Sequence, residues 1–134
     1  MVFQYPNDFP SECETLNREH ERIVFLINRF EILANNDAGK RDQYLLYNQI
    51  SDCLSSHFRT EEDQMRASEY DGIHDHADEH RELFYKLTGA VSLFNNFSSG
   101  VEIVILDFFY KWFLDHVSSS DRKFGEFLLH KCSA

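Results

Sequence analysis

No apolar stretch in this sequence approaches the roughly 20 residues that a membrane span requires. The run Ile23-Val24-Phe25-Leu26-Ile27 stops at Asn28 and Arg29. Positive charge is also in short supply. Thirteen Lys and Arg stand against 23 Asp and Glu, a formal charge of −10, and an acidic domain is repelled by nucleic acid and by anionic membranes alike. Cysteine is sparse: Cys13, Cys53 and Cys132 have no metal-type spacing and are odd in number. They read as reduced thiols of a cytosolic protein. Met1 to Pro6 contains no basic region followed by an apolar stretch, so no secretory signal is expected and the localisation predicted is cytoplasmic. Strand-like alternation, internal repeats and low-complexity tracts are missing too.

What the chain does have is aromatic bulk and helical periodicity. Its 134 residues include 13 Phe, 6 Tyr and 1 Trp, enough length and volume for one domain over residues 1–134 with a large core. Polar breaks fall at Asn35 to Lys40, Tyr70-Asp71-Gly72 and Asn95 to Gly100. They leave four segments, expected as helices over about 12–35, 41–67, 72–94 and 100–129. The apolar seams run Leu16, His20, Ile23, Ile27, Phe30, Ala34; then Leu46, Ile50, Leu54, His57, Glu61, Met65; then Ile73, His76, His80, Leu83, Leu87, Val91; and last Ile105, Phe109, Trp112, His116. Steps of three and four give one inward stripe per helix, and short connections favour antiparallel neighbours. The fold class expected is all-α: an antiparallel, up-down-up-down four-helix bundle. Ser11 with Glu14 and Ser99 with Glu102 read as capping boxes opening the first and fourth helices.

Seven seam positions are polar where an apolar residue belongs: His20, His57, Glu61, His76, His80, His116 and Asp121. A single buried polar group left unpaired costs about 1–3 kcal/mol, and an ionised carboxylate far more. A lone histidine on such a face is usually a satisfied core residue. Seven such groups at one level of a bundle are better explained by a metal site. Residues i and i+4 share a helix face, so His57 with Glu61 and His76 with His80 can approach one centre. Imidazoles and carboxylates suit iron, with zinc, manganese or copper left open. Seven ligands exceed what one ion needs, so two ions are implied, with the carboxylates as natural bridges. The five-residue step from His116 to Asp121 breaks the pattern. On a regular helix it leaves the two roughly 140° apart, whereas one inserted residue held as a π-bulge restores the phase. A bulge is therefore predicted there, with Ser118 to Ser120 inside the turn.

The stretch His57-Phe58-Arg59-Thr60-Glu61-Glu62-Asp63-Gln64-Met65, followed by Tyr70, resembles the H-F-x-x-E-E-x-x-M block of the hemerythrins. His76-Ala77-Asp78-Glu79-His80 is similar to their H-x-x-E-H block, and Trp112 to Asp121 to their W-x-x-x-H-x-x-x-x-D block. The resemblance runs from about Leu16 to Leu128 and is nearest to the stand-alone bacterial type. It departs at the first helix, where Asn17-Arg18-Glu19-His20 replaces the frequent Asp-x-x-His; His20 is kept as a ligand by its seam position. The resemblance implies two iron ions joined by an oxo or hydroxo group. His76, His80 and His116 would hold one, His20 and His57 the other, and Glu61 and Asp121 would bridge them. The iron on His20 and His57 would keep an open position for dioxygen, the partner expected.

Ile23, Met65, Trp112 and Phe113 are candidates to line that position, with plain core packing as the alternative for each. His74 and His130 are read as surface residues, Glu62 as a solvated charge, and Cys53 as a buried inert thiol. The charged blocks Asn17 to Arg22 and Asp75 to Glu82 otherwise read as solvated faces. The function expected is non-enzymatic: reversible dioxygen binding for storage, transport or buffering. The alternatives are an oxygen or redox sensor, a di-iron enzyme of peroxidase or nitric-oxide-handling type, and iron storage. Oligomeric state is not legible.

Overall fold

The computed structural model describes residues 14–35, 39–89 and 100–133. Among them the chain is helical, and no strand occurs. The described residues form four helices: α1 (Glu14–Asn35), α2 (Lys40–Ala67), α3 (Ile73–Gly89) and α4. The last is one continuous rod in five pieces: Val101–Phe108, a π-helical turn at Phe109–Phe113, Leu114–His116, a second π-helical turn at Val117–Asp121, and Arg122–Ser133. The expected ends at Pro10 to Cys13, the Ser11–Glu14 and Ser99–Glu102 boxes, and the third helix beyond Gly89 lie wholly or partly outside the described residues.

The break at Tyr70-Asp71-Gly72 is a built turn. Glu69 takes a left-handed φ of 59°, and the Tyr70 amide returns to the Met65 carbonyl at 2.9 Å, which closes α2. Gly72 packs directly under Tyr70, where a Cβ would come within 2.7–2.8 Å of the ring and hydroxyl. Gly100, with φ 81°, opens α4 from the left-handed region that suits glycine.

The helices form a bundle in which α1 packs on α2, α2 on α3, and α1 on the first part of α4. Polar ties cross between them. The Tyr47 hydroxyl on α2 donates to the Leu87 carbonyl on α3, Tyr110 on α4 donates to Glu31 on α1, and Lys40 meets Glu102 at 2.5 Å. Two apolar clusters divide the interior. The larger gathers Ile23, Ile27, Phe30, Ile50, Leu54, Leu83, Phe109 and Phe113 among others. The smaller holds Leu16, Met65, Tyr70 and Phe124. Along each helix the polar seam residues fall between these clusters: His20 between Leu16 and Ile23, Glu61 between Phe58 and Met65, His76 and His80 ahead of Leu83, and Asp121 between Val117 and Phe124. The bundle thus has a polar layer between two apolar ones.

The expected π turn is present, with Ser118 to Ser120 inside it. A second, at Phe109–Phe113, was not expected, and it corrects the fourth seam. Trp112 does not face the core. It is 46% exposed and lies under the Lys86 ammonium, 3.1 Å from the ring centroid. Phe113, 1% exposed, takes the core position. The two turns act together. Ile105 and Asp121 are 16 residues apart, ~1600° of regular helix, which puts them on opposite faces. Two inserted residues reduce the effective rotation to ~1400°, nearly four whole turns, and both side chains point inward.

Candidate metal centre

All seven polar seam residues meet in the layer between the clusters. His20, Glu61 and Asp121 are fully buried, and the other four histidines are at most 4% exposed. One group of donor atoms comes from Glu61, His76, His80, His116 and Asp121, a second from His20, His57, Glu61 and Asp121; within each group the atoms lie within 4.8 Å of one another. Glu61 and Asp121 belong to both.

The two carboxylates divide their oxygens between the groups. Glu61 Oε1 lies 2.6 Å from His76 Nε2 and 3.1 Å from His80 Nε2, whereas its Oε2 faces His57 Nε2 at 3.6 Å. Asp121 Oδ1 lies 2.8 Å from His76 Nε2 and 2.9 Å from His116 Nε2, whereas its Oδ2 meets His20 Nε2 at 2.9 Å. A carboxylate can span two cations in this way, one oxygen to each. The local sequence accounts for the delivery: i,i+4 pairs on α2 and α3, and the π turn on α4, which brings Asp121 round beside His116.

Three more carboxylates stand behind the histidines, and the sequence reading missed them. Glu19 meets His57 Nδ1 at 2.8 Å, Glu62 meets His80 Nδ1 at 2.8 Å, and Glu79 meets His116 Nδ1 at 2.5 Å. Glu62 is therefore not merely a solvated charge, and the blocks holding Glu19 and Glu79 are not simply solvated faces. These side chains are 22–37% exposed, and each reaches inward across a helix boundary. A signal was present: each is the chain neighbour of a seam ligand, and one occurs on each of the first three helices.

The donor set fits a cation. An ionised carboxylate only accepts, so Nδ1 of His80 and of His116 carries the proton, and in the neutral ring Nε2 turns a lone pair inward. Those two Nε2 atoms lie 3.1 Å apart, an approach that requires a proton or a metal ion between the lone pairs. Both oxygens of Glu61, Asp121 Oδ2 and His57 Nε2 are buried with no well-aligned hydrogen bond among the described residues. Glu61 Oε1 is only 2.6 Å from an imidazole nitrogen, so the mismatch is one of direction, as expected when both atoms aim at a third point.

The field at this layer favours positive charge. Burial opposes protonation of His57, yet Asp121, Glu19 and Glu61 push it up to about 9. His76 is likewise raised to about 9 against burial by Asp121 and Glu61. His116 is raised to about 10 against burial by Asp121, Glu79 and Glu61. Asp121 is held well below the carboxylate range, in spite of burial, by His116, His20 and His57. Glu61 is lowered although burial and Asp121 both oppose this; His76, His80 and His57 prevail. Glu79 is lowered chiefly by its hydrogen bond from His116.

Of the remaining sequence candidates, Ile23 and Phe113 pack in the larger cluster and Met65 in the smaller. Trp112 is at the surface. His74 is exposed, and Cys53 is half-buried against the larger cluster rather than fully buried. Cys13 and the side chains of His130 and Cys132 lie outside the described residues.

Comparison with known families adds one decisive match. The family model for the hemerythrin HHE cation-binding domain matches residues 12–128, a span containing all seven converging residues. The chain belongs to the hemerythrin family. Neither the curated proteins nor the solved structures compared with it gave a match. Cation binding, named in the family's description, agrees with the donor chemistry of this hemerythrin-family bundle. No described helix is long and apolar enough to cross a membrane.

Proposed function

We propose that this hemerythrin-family protein binds dioxygen reversibly at a non-haem di-iron centre, acting as a store, carrier or buffer rather than as an enzyme. The observation that carries the reading is the division of the Glu61 and Asp121 oxygens between a three-histidine and a two-histidine group. His76, His80 and His116 would hold one iron, and His20 and His57 the other, with both carboxylates spanning the pair. The three-histidine group would then be the coordinatively fuller, and the side of His20 and His57 would take the dioxygen. A ferrous pair supplies the electrons that reversible dioxygen binding borrows.

The chain's part is to hold and to exclude. Seven donors with at most 4% exposure, closed above and below by apolar clusters, keep bulk water and stray protons from the centre. The antiparallel, up-down-up-down course expected from the sequence belongs to the same proposal. It is supported by contacts that rise on one helix as they fall on the next: Tyr47 with Leu87 and Glu62 with His80, then Glu31 with Tyr110 and His20 with Asp121.

The test is anaerobic reconstitution with ferrous iron, followed by cycles of oxygen exposure and removal while metal content and the visible spectrum are recorded. Two irons per chain and a band that appears and disappears with oxygen are expected. One metal per chain, or irreversible oxidation on first exposure, would sink the proposal.

A further inference from the structure

The three outer glutamates repeat one arrangement. Glu19 of α1 holds His57 of α2, Glu62 of α2 holds His80 of α3, and Glu79 of α3 holds His116 of α4. In the chain, Glu19 precedes His20, Glu62 follows Glu61, and Glu79 precedes His80. Each acid is thus bonded covalently next to one inward-facing donor and hydrogen-bonded to the back of another on the following helix. The third has a further support. Ser120, inside the second π turn, donates to the other Glu79 oxygen at 2.8 Å. The turn that delivers Asp121 into the layer therefore also steadies the acid behind His116.

We propose that Glu19, Glu62 and Glu79 are positioning residues that set the tautomer and ring orientation of His57, His80 and His116, and link each helix to the next at the level of the metal centre. The inference rests on the metal-centre reading above. A carboxylate accepting from Nδ1–H leaves Nε2 as the inward donor and makes it more basic, and partners of this kind typically change metal affinity 10- to 100-fold. The partial exposure of the glutamates keeps their charge inexpensive, while the imidazoles they hold are buried. Ordinary surface ion pairs would share that exposure, but would not converge on the back nitrogen of a buried ring three times in helix order. Glu79, gripped on both oxygens, is the strongest of the three.

Zinc is a suitable probe, being redox-silent and diamagnetic. The full chain and its Glu79→Gln, Glu79→Ala, Glu62→Gln and Ser120→Ala variants would be titrated with Zn²⁺ against a competing chelator. Long-range ¹⁵N–¹H spectra of the histidine rings would be recorded on the loaded forms. Expected are a loss of about 10-fold in affinity for Glu79→Gln, up to about 100-fold for Glu79→Ala, and a smaller loss for Ser120→Ala. The His116 Nδ1 proton, far downfield in the parent protein, should move upfield in Glu79→Gln while those of His57 and His80 stay. Glu62→Gln should move only the His80 signal, which keeps the test open if a Glu79 variant fails to fold. Affinities within twofold of the parent and unmoved ring signals would overturn the proposal and leave the metal-centre reading intact. A parent chain that takes up no cation would overturn both.

Discussion

Asp121→Asn keeps the shape of a side chain that touches three imidazole nitrogens, at 2.8, 2.9 and 2.9 Å, and removes its charge. Because Asp121 belongs to both donor groups, the substitution weakens both positions at once. A cation present at 100 times its dissociation constant stabilises the folded chain by ~2.7 kcal/mol, so two positions contribute ~5 kcal/mol. Loss of a charged shared ligand should weaken each position at least ~100-fold, since partners one bond further out already change affinity 10- to 100-fold. The increment then falls below ~1 kcal/mol. At ~3–4 °C per kcal/mol for a chain of this size, the metal-induced rise in Tm should drop from ~15–20 °C to ~3 °C. The assay is calorimetry of each protein with and without Zn²⁺ at one fixed free concentration. Taking the difference for each protein cancels whatever the substitution does to the metal-free fold. Asp107→Asn is the control, because that carboxylate is 54% exposed and pairs only with Lys111 at 3.2 Å among the contacts described; its increment should match the parent's. Equal increments for Asp121→Asn and the parent would refute the shared-ligand reasoning.

Phe113→Ala should cost ~3–5 kcal/mol in denaturant unfolding, because the ring is buried among Leu54, Phe58, Leu83 and Leu87. In iron-loaded protein it should also alter oxygen association or autoxidation rates; unchanged rates would remove Phe113 from the oxygen path. In metal-free protein, His57, His76 and His116 have raised pKa values, so their stabilisation is complete below the ordinary value of 6.5 and is lost as pH rises through about 9 to 10. Glu61 and Asp121 are lowered, so theirs is present above 4.5 and 3.8 and is lost toward acid. Metal-free Tm should therefore peak between about pH 4.5 and 6.5 and fall on both sides; a Tm still rising from pH 7 to 10 would contradict the assigned couplings. Gly72→Ala should lower stability by ~1–3 kcal/mol, since its Cβ would strike the Tyr70 ring at 2.7 Å, and that ring is backed by Phe124 and Phe127. Wild-type stability in chemical unfolding would show that the ring has room to retreat.

Local periodicity carried much of this protein into view from the sequence. Steps of three and four define inward stripes on four helices, and polar residues within a stripe are conspicuous because burying them unpaired is expensive. That logic located all seven residues that converge, and the five-residue gap after His116 located the second π turn, since no regular helix brings Asp121 round. The first π turn was not legible. Phe109, Trp112 and Phe113 are all large and apolar, so a slip of one residue there leaves no polar residue out of place. Whether Trp112 or Phe113 entered the core was settled by packing.

The outer glutamates mark the same boundary. Glu19, Glu62 and Glu79 sit off the seams, where an acid is ordinarily a solvated charge. Their roles depend on how each helix is rotated against its neighbour, and no single helix encodes that rotation. The sequence by itself determined which residues face inward wherever the helix keeps a legible spacing, because a helix's face is a property of that spacing; only at Phe109–Phe113 did it mistake Trp112 for Phe113. Only the tertiary structure decided which oxygen meets which imidazole and which acid stands behind it, because most of those contacts join different helices, as His57 of α2 with Glu19 of α1 and His76 of α3 with Asp121 of α4.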